Sequence, residues 1–381
     1  MRLFLTDSDF NAGGLPRPGI PFLCDRDMEL VDAPNRYLRY VALVRGRSRA
    51  PATWRTYGDH LLEFFAFLED NALTWTHVTI DIMAAWRDAM LERRCSHNTV
   101  NQRMRGIQAF YRWAERQGLV TTVPFSTQDM RVAKPMLFLG QLDAAGGRVQ
   151  ANELTLRTIG PPPQFLHLDK AIRFLDALTP ARVRLMGYLM LLTGMRREEV
   201  VGLDYRVLSN PAGHAPGRAL PMVLDGRTTP TKGSKERVVM IPFDLAVALM
   251  DYCAFERHSL QQQFAHQYGC ETTRLFLSKR GEELSVKSLN RAFAEAARRT
   301  GIACHPHLLR HTFGTYELLR MQRTRGESQA LLWVRDRMGH SSITTTERYV
   351  HSADLIRHDA VDGYQQDLCE ALRHGHPPVQ T

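Results

Sequence analysis

Apolar residues along this chain recur mostly at helical spacing. Between residues 51 and 70, Tyr57, Leu61, Phe64, Phe65 and Leu68 fall three or four apart with polar residues between them, the pattern of a helix with one buried stripe. Pro51 stands where a first helical residue tolerates the missing N–H. A second stripe, Val100, Met104, Ile107, Tyr111 and Ala114, predicts a helix capped by Ser96 and stopped by Gly118. The run "LMGYLMLL" at 185–192 is apolar all round, so it predicts a core helix ending at Gly194. It is too short to cross a bilayer. "RVVMI" at 237–241 follows a tight turn, Lys232-Gly233-Ser234-Lys235, and predicts the returning strand of a hairpin.

Breaks in this pattern divide the chain. Residues 1–32 are rich in Gly and Pro and predict an irregular arm with one short strand in "PFLCDRDMELVD". Residues 33–125 predict a helical domain. Residues 126–165, bracketed by prolines, predict a connector with room for a hairpin. A larger second domain runs from 166 to 352, and 353–381 is a tail whose apolar residues Leu355, Ile356, Ala360, Val361, Tyr364, Leu368 and Leu372 keep helical spacing. The fold class expected is mainly α with a small antiparallel β-sheet in the second domain.

Charge adds a partner to this picture. The 381 residues carry a formal net charge of +9, which suits a polyanion. Six of the 49 basic residues are lysines, so the other 43 are arginines. Within 33–125 there are 13 arginines against 8 acidic residues. Arg47, Arg49 and Arg55 gather at the start of the first helix, Arg93 and Arg94 precede the second, and Asn101, Arg103 and Arg105 lie on it. These are candidate phosphate contacts to a polyanion, with a solvated basic face as the plain alternative. The six cysteines are scattered without a CxxC pair, which suggests neither a zinc site nor a disulfide framework. "MRLFLTDSDF" lacks the apolar block of a signal peptide, so a cytoplasmic setting, with no membrane partner, is expected.

Four short segments carry the candidate chemistry. In "LLTGMRREEVVGL" (191–203), Arg196 and Glu199 share a helical face. "TTPTKGSKERVVMIP" (228–242) puts Lys232 on the hairpin turn. In "HPHLLRHTFGTY" (305–316), Pro306 suits a helix start, and His307, Arg310 and His311 fall on one face. "MGHSSITTTERYVH" (338–351) sets His340 nine residues before Tyr349. Taken singly, these are an ion pair, a solvated lysine, a helix face and a polar loop. Together they supply cations, imidazoles and a phenol with no matching set of carboxylates, whereas metal-dependent nucleases gather carboxylates.

In their order and local context these segments resemble the tyrosine recombinase (phage integrase) family over about residues 166–352, and the helical block at 33–125 is similar to that family's core-binding domain. The resemblance implies a two-domain DNA clamp, a helical SAM-like domain plus an α+β catalytic domain. It also implies a site-specific recombinase of double-stranded DNA that works through a covalent 3′-phosphotyrosyl intermediate, without metal or other cofactor. Arg196 and Arg310 would neutralise the phosphate, Tyr349 would attack it, and His307 would take the phenolic proton. Lys232 would protonate the leaving oxygen, His340 would bond a phosphate oxygen, and Glu199 would orient the cations. Tyr316 is the rival nucleophile. Implied partners are further copies of the chain in a tetrameric synapse, with the tail docking on a neighbour where its residue pattern alone equally allows it to close the chain's own core, and accessory DNA-bending or partner recombinase proteins. The interval from Arg310 to His340 is longer than is usual in the family. A type IB topoisomerase-like enzyme and an inactive DNA-binding protein of the same fold are the alternatives.

Overall fold

The computed structural model describes residues 1–46, 50–130, 149–157, 164–226, 229, 236–340, 346, 349–350 and 352–353. Arg47, Arg49, Lys232 and the tail from 354 lie outside the described residues. The chain divides into two compact units, Met1–Gly160 and Pro161–Thr381. Among the described residues no helix is long and apolar enough to cross a membrane.

The first unit opens with an antiparallel pair, β1 (Arg2–Leu5) and β4 (Pro21–Cys24), enclosing the short hairpin β2 (Asn11–Ala12) and β3 (Leu15–Pro16). Four helices follow: α1 (Asp32–Arg39), α2 (Pro51–Asp70), α3 (Ile80–Glu92) and α4 (His97–Arg116). Pro51 occupies the first turn of α2, the Ser96 hydroxyl accepts the Thr99 N–H to cap α4, and Gly118 takes a left-handed φ of 68° beyond its end. The apolar stripes meet in an aromatic core where Phe64 and Trp86 stand edge to face with ring centroids 4.9 Å apart.

One expectation changes here and another is met. Residues 1–32 are no separate arm, because Ile20 and Leu23 are buried in the helical core and Leu3 packs against it. Cover for a sheet edge and an apolar face came from a partner strand that sequence spacing does not reveal. In the proline-bracketed connector, β5 (Thr127–Met130) pairs antiparallel with β6 (Val149–Asn152). The residues beyond β6 are tied to α4, since Asn101 donates to the Leu156 carbonyl at 2.8 Å and accepts from the Leu156 N–H at 2.9 Å.

The second unit is built around α6 (Ala181–Thr193), which is buried from Leu185 through Thr193. Before it comes α5 (Leu168–Asp176), and after it the short α7 (Arg197–Val201). A strand pair, β7 (Leu220–Leu224) and β8 (Arg237–Ile241), is antiparallel, and α8 (Phe243–Tyr252), α9 (His258–Tyr268) and α10 (Val286–Thr300) lead on. The long α11 (Pro306–Arg325) packs on α6 and on α12 (Glu327–Met338). These two helices fill the long interval before His340. The buried Glu317 of α11 accepts from the Trp333 indole of α12 at 3.0 Å and, within α11, from Arg320 Nε and Nη2 at 2.9 Å each.

Candidate active site

Arg196 and Glu199 stand at the start of α7, His340 just past the end of α12, and His307 and Arg310 on α11. Arg196 is the N-cap residue of α7, and its backbone N–H donates to Glu199 Oε2 at 2.8 Å while its Nη1 donates to Oε1 at 2.9 Å. The other guanidinium nitrogen donates to the Gly339 carbonyl at 3.0 Å. Arg310, only 1% exposed, donates to the Gly194 carbonyl and to the Met338 carbonyl, the latter at 2.6 Å. Both cations are therefore fixed by carbonyls at the ends of α6 and α12. These carbonyls have no helical partner and carry the negative end of the helix dipole. Gly194 and Gly339 make this possible by turning left-handed, at φ 67° and 62°.

A third guanidinium completes the cluster. Arg237 donates to both oxygens of Glu199, at 2.8 Å to Oε1. Glu199 is fully buried. Burial works to raise its pKa, but the hydrogen bonds and charges of Arg237 and then Arg196 prevail and hold the carboxyl below its usual range. Three guanidiniums against one carboxylate leave two positive charges uncompensated, an arrangement fitted to a phosphodiester in transit. For Arg310, burial and then Arg196 push the pKa down to about 9, against Tyr349 and Glu199, which act the other way.

His340 and His307 are both pushed towards the neutral form. Burial, followed by Arg310 and Arg196, pushes His340 down to about 3, and its Nδ1 lies 2.9 Å from Thr346 Oγ1. His307 is open to solvent on one side, and the protein packed on the other, then Arg310 and His305, lower its pKa as well. Neutral imidazoles serve as hydrogen-bond partners rather than as fixed charges.

Tyr349 is 2% exposed, and its Oη lies 2.8 Å from His311 Nδ1. Its ring lies nearly parallel to that of His340 at 6.1 Å. Gly314 makes room for it, since a Cβ there would stand 2.9 Å from Tyr349 Cζ and 2.8 Å from Met338 Sδ. Tyr316 instead is buried with its ring edge-on to Phe165. Arg196, Glu199, Arg310, His340 and Tyr349 thus converge, with His307 beside His311 at a ring distance of 4.4 Å. Sequence reading passed over three contributors: Arg237, Gly314 and the contact of His311 with the phenol. An open groove of about 630 Å³ beside Arg196 and His340 is walled by Arg237, Met240, Trp333 and Arg337. Among the described residues no group of three or more His, Cys, Asp or Glu is placed to hold a metal ion.

The first unit reorders the expected DNA-facing residues. Asn101 is buried and spends its amide on Leu156, so it does not belong to the exposed face. Arg103 turns to Cys95 and Glu63, and Arg93 also pairs with Glu63. Arg55, Arg94 and Arg105 are exposed. Arg105 lies between two hollows. One, of about 510 Å³, runs between α2 and α4 past Thr56, His60 and Gln102. The other, of about 390 Å³, is ringed by Arg45, Arg112 and Arg116. Residues 102, 105, 109, 112 and 116 share the face of α4 opposite its buried stripe, a spacing visible in the sequence.

The pattern of the phage integrase family matches residues 164–355, and that of the phage integrase N-terminal SAM-like domain matches 35–118. The chain belongs to the phage integrase family. Among its relatives is the tyrosine recombinase XerC of Corynebacterium efficiens, 28% identical over 356 residues that span 92% of this chain and 93% of the other. The tyrosine recombinase XerC of Herpetosiphon aurantiacus is 27% identical over 319 residues, 83% of this chain and 89% of the other. Among solved structures, the fold is similar to the XerH site-specific recombinase in a post-cleavage complex with a palindromic difH substrate. That likeness has a TM-score of 0.56 at 18% identity over 81% of this chain and 79% of the other. The Tn1549 transposon integrase in complex with a circular intermediate DNA gives a TM-score of 0.52 at 16% identity, over 85% and 98%.

Proposed function

We propose the following division of labour for this tyrosine site-specific recombinase. Tyr349 attacks a DNA phosphorus, forms a 3′-phosphotyrosyl bond and releases a 5′-hydroxyl. Arg196 and Arg310 stabilise the charge that develops on the non-bridging oxygens, and guanidinium forks suit that geometry without losing their charge. His340 and His307 hydrogen-bond phosphate oxygens as neutral imidazoles. Lys232, which falls in the sequence between β7 and β8, protonates the leaving oxygen. Glu199 orients Arg196. Bond energy kept in the phosphotyrosine lets a second 5′-hydroxyl rejoin the strand without ATP. The observation that carries this reading is the convergence of two guanidiniums, held by helix-end carbonyls, near a buried tyrosine.

In the same reading the α2–α4 face with Arg105, Gln102 and Arg112 grips the duplex, Arg55 and Arg94 contact phosphates at its margins, and each unit contributes contacts to the DNA. Exchange takes place in a tetramer of this chain on two sites, in the cytoplasm, and serves integration, excision or resolution of a mobile element. The net charge of +9 supports duplex DNA as the partner.

A duplex recovered by selection from a random library supplies the site. A plasmid carrying two copies of it is then incubated with the protein in EDTA. Recombinant circles are the expected product. Relaxation without exchange would instead make the protein a topoisomerase-like enzyme, and binding without cleavage would make it a binding protein.

A further inference from the structure

We infer that His311 is a catalytic residue, the group that takes the proton from Tyr349 when the tyrosine attacks DNA. The inference rests on Tyr349 being the nucleophile. A phenol, with a pKa near 10, needs a proton acceptor at neutral pH, and a general base must stand within hydrogen-bond reach of the proton it removes. His311 Nδ1 is 2.8 Å from Tyr349 Oη.

The surrounding structure holds this contact in place. Gly314 lies three residues after His311, almost one helical turn along the same face of α11. A Cβ there would stand 2.9 Å from Tyr349 Cζ, so the absent side chain lets the phenol ring lie directly on the helix with its oxygen against His311. The His340 ring lies nearly parallel to the tyrosine's, 6.1 Å away. His307, the residue that family resemblance nominates for this task, presents its ring edge-to-face to His311 at 4.4 Å. It is exposed, whereas His311 is half-buried beside the phenol. One helix thus divides two tasks between its histidines: His307 meets the phosphate and His311 the nucleophile.

The step balances as a proton transfer coupled to transesterification. The Tyr349 O–H bond breaks and its proton passes to His311 Nδ1, which requires the tautomer with hydrogen on Nε2. The oxygen's electron pair forms the new O–P bond. The P–O5′ bond breaks, and the leaving oxygen takes a proton from Lys232. On rejoining, His311 returns its proton to the departing phenol.

The test is single-turnover formation of the covalent adduct on a nicked duplex carrying the selected site. It is run with tyrosine or the more acidic 3,5-difluorotyrosine incorporated at position 349. His311→Ala should slow adduct formation by roughly a hundredfold or more, the usual worth of a general base, with site binding unchanged. Difluorotyrosine, which needs less help to ionise, should recover at least about tenfold of that loss, on the same Brønsted reasoning. It should recover nothing in His307→Ala. His311→Gln keeps a polar group against the phenol but is a far weaker base. It should behave like the alanine variant, and it replaces that variant if His311→Ala does not melt cooperatively. Wild-type cleavage rates in both variants, or a defect untouched by fluorination, would overturn the assignment. No adduct from the wild-type protein would instead defeat the underlying reading of Tyr349.

Discussion

Replacing Arg237 with methionine tests how the cationic cluster is held together. The substitution keeps an unbranched apolar stem and removes the guanidinium, which is 8% exposed and bonded to both oxygens of Glu199. Glu199, fully buried, then loses two of its four hydrogen bonds and keeps those from the Arg196 backbone and side chain. Charged hydrogen bonds are worth about 1.5–3 kcal/mol each, and breaking a buried pair costs about 3–5 kcal/mol. Because Arg196 still compensates the carboxylate, the low end applies, about 3 kcal/mol. That is a large share of the roughly 5–15 kcal/mol that holds a typical fold. Glu199→Gln should also destabilise, since it leaves Arg196 and Arg237 facing each other around a neutral amide. The double variant buries no unpaired carboxylate and one cation fewer, so its cost should fall at least about 1.5 kcal/mol short of the sum of the two. Urea denaturation of the four proteins measures this cycle. Additivity within about 0.5 kcal/mol would mean that the triad does not act as a unit.

Three further predictions concern the helices that carry the site and the DNA face. Gly314→Ala should lower stability by about 1–3 kcal/mol, the usual cost of overpacking. It should also slow cleavage far more than DNA binding, because the added methyl displaces Tyr349 or Met338; an unchanged cleavage rate would count against the close approach. Glutamate substitution at Arg105 and Arg112 should weaken DNA binding and flatten its log–log salt dependence by about one unit for each lost phosphate contact. Asn101→Ala should instead lower the melting temperature and leave that salt slope intact. The opposite pattern would restore Asn101 to the DNA face.

What was legible in the sequence was local. Pro51, Ser96, Gly118 and Gly194 punctuate helices through effects confined to one turn, and each marks a helix boundary in the structure. The four candidate segments stood out because their residues sit at fixed offsets along short stretches of chain. Misreadings arose where the partner lies far along the chain. Asn101 is polar, yet it stands three residues before the buried Met104 on the same face, and its partner is Leu156. Arg237 reads as one more basic residue in "TKGSKER" until β8 brings it to Glu199, 38 residues away. β1 finds its partner in β4 only through tertiary pairing. The contact of His311 with Tyr349 spans 38 residues, and no spacing rule distinguishes His311 from His307 for that role.

The central claim is that Tyr349 becomes covalently joined to a DNA 3′-phosphate. Trapping the protein on a nicked duplex of the selected site in EDTA, digesting both components and sequencing the modified peptide by mass spectrometry tests it most directly. The account predicts a nucleotide linked through its 3′-phosphate to the peptide containing Tyr349, and no such peptide from Tyr349→Phe. A nucleotide on Tyr316 or on any other residue, or an adduct that survives Tyr349→Phe, would contradict it.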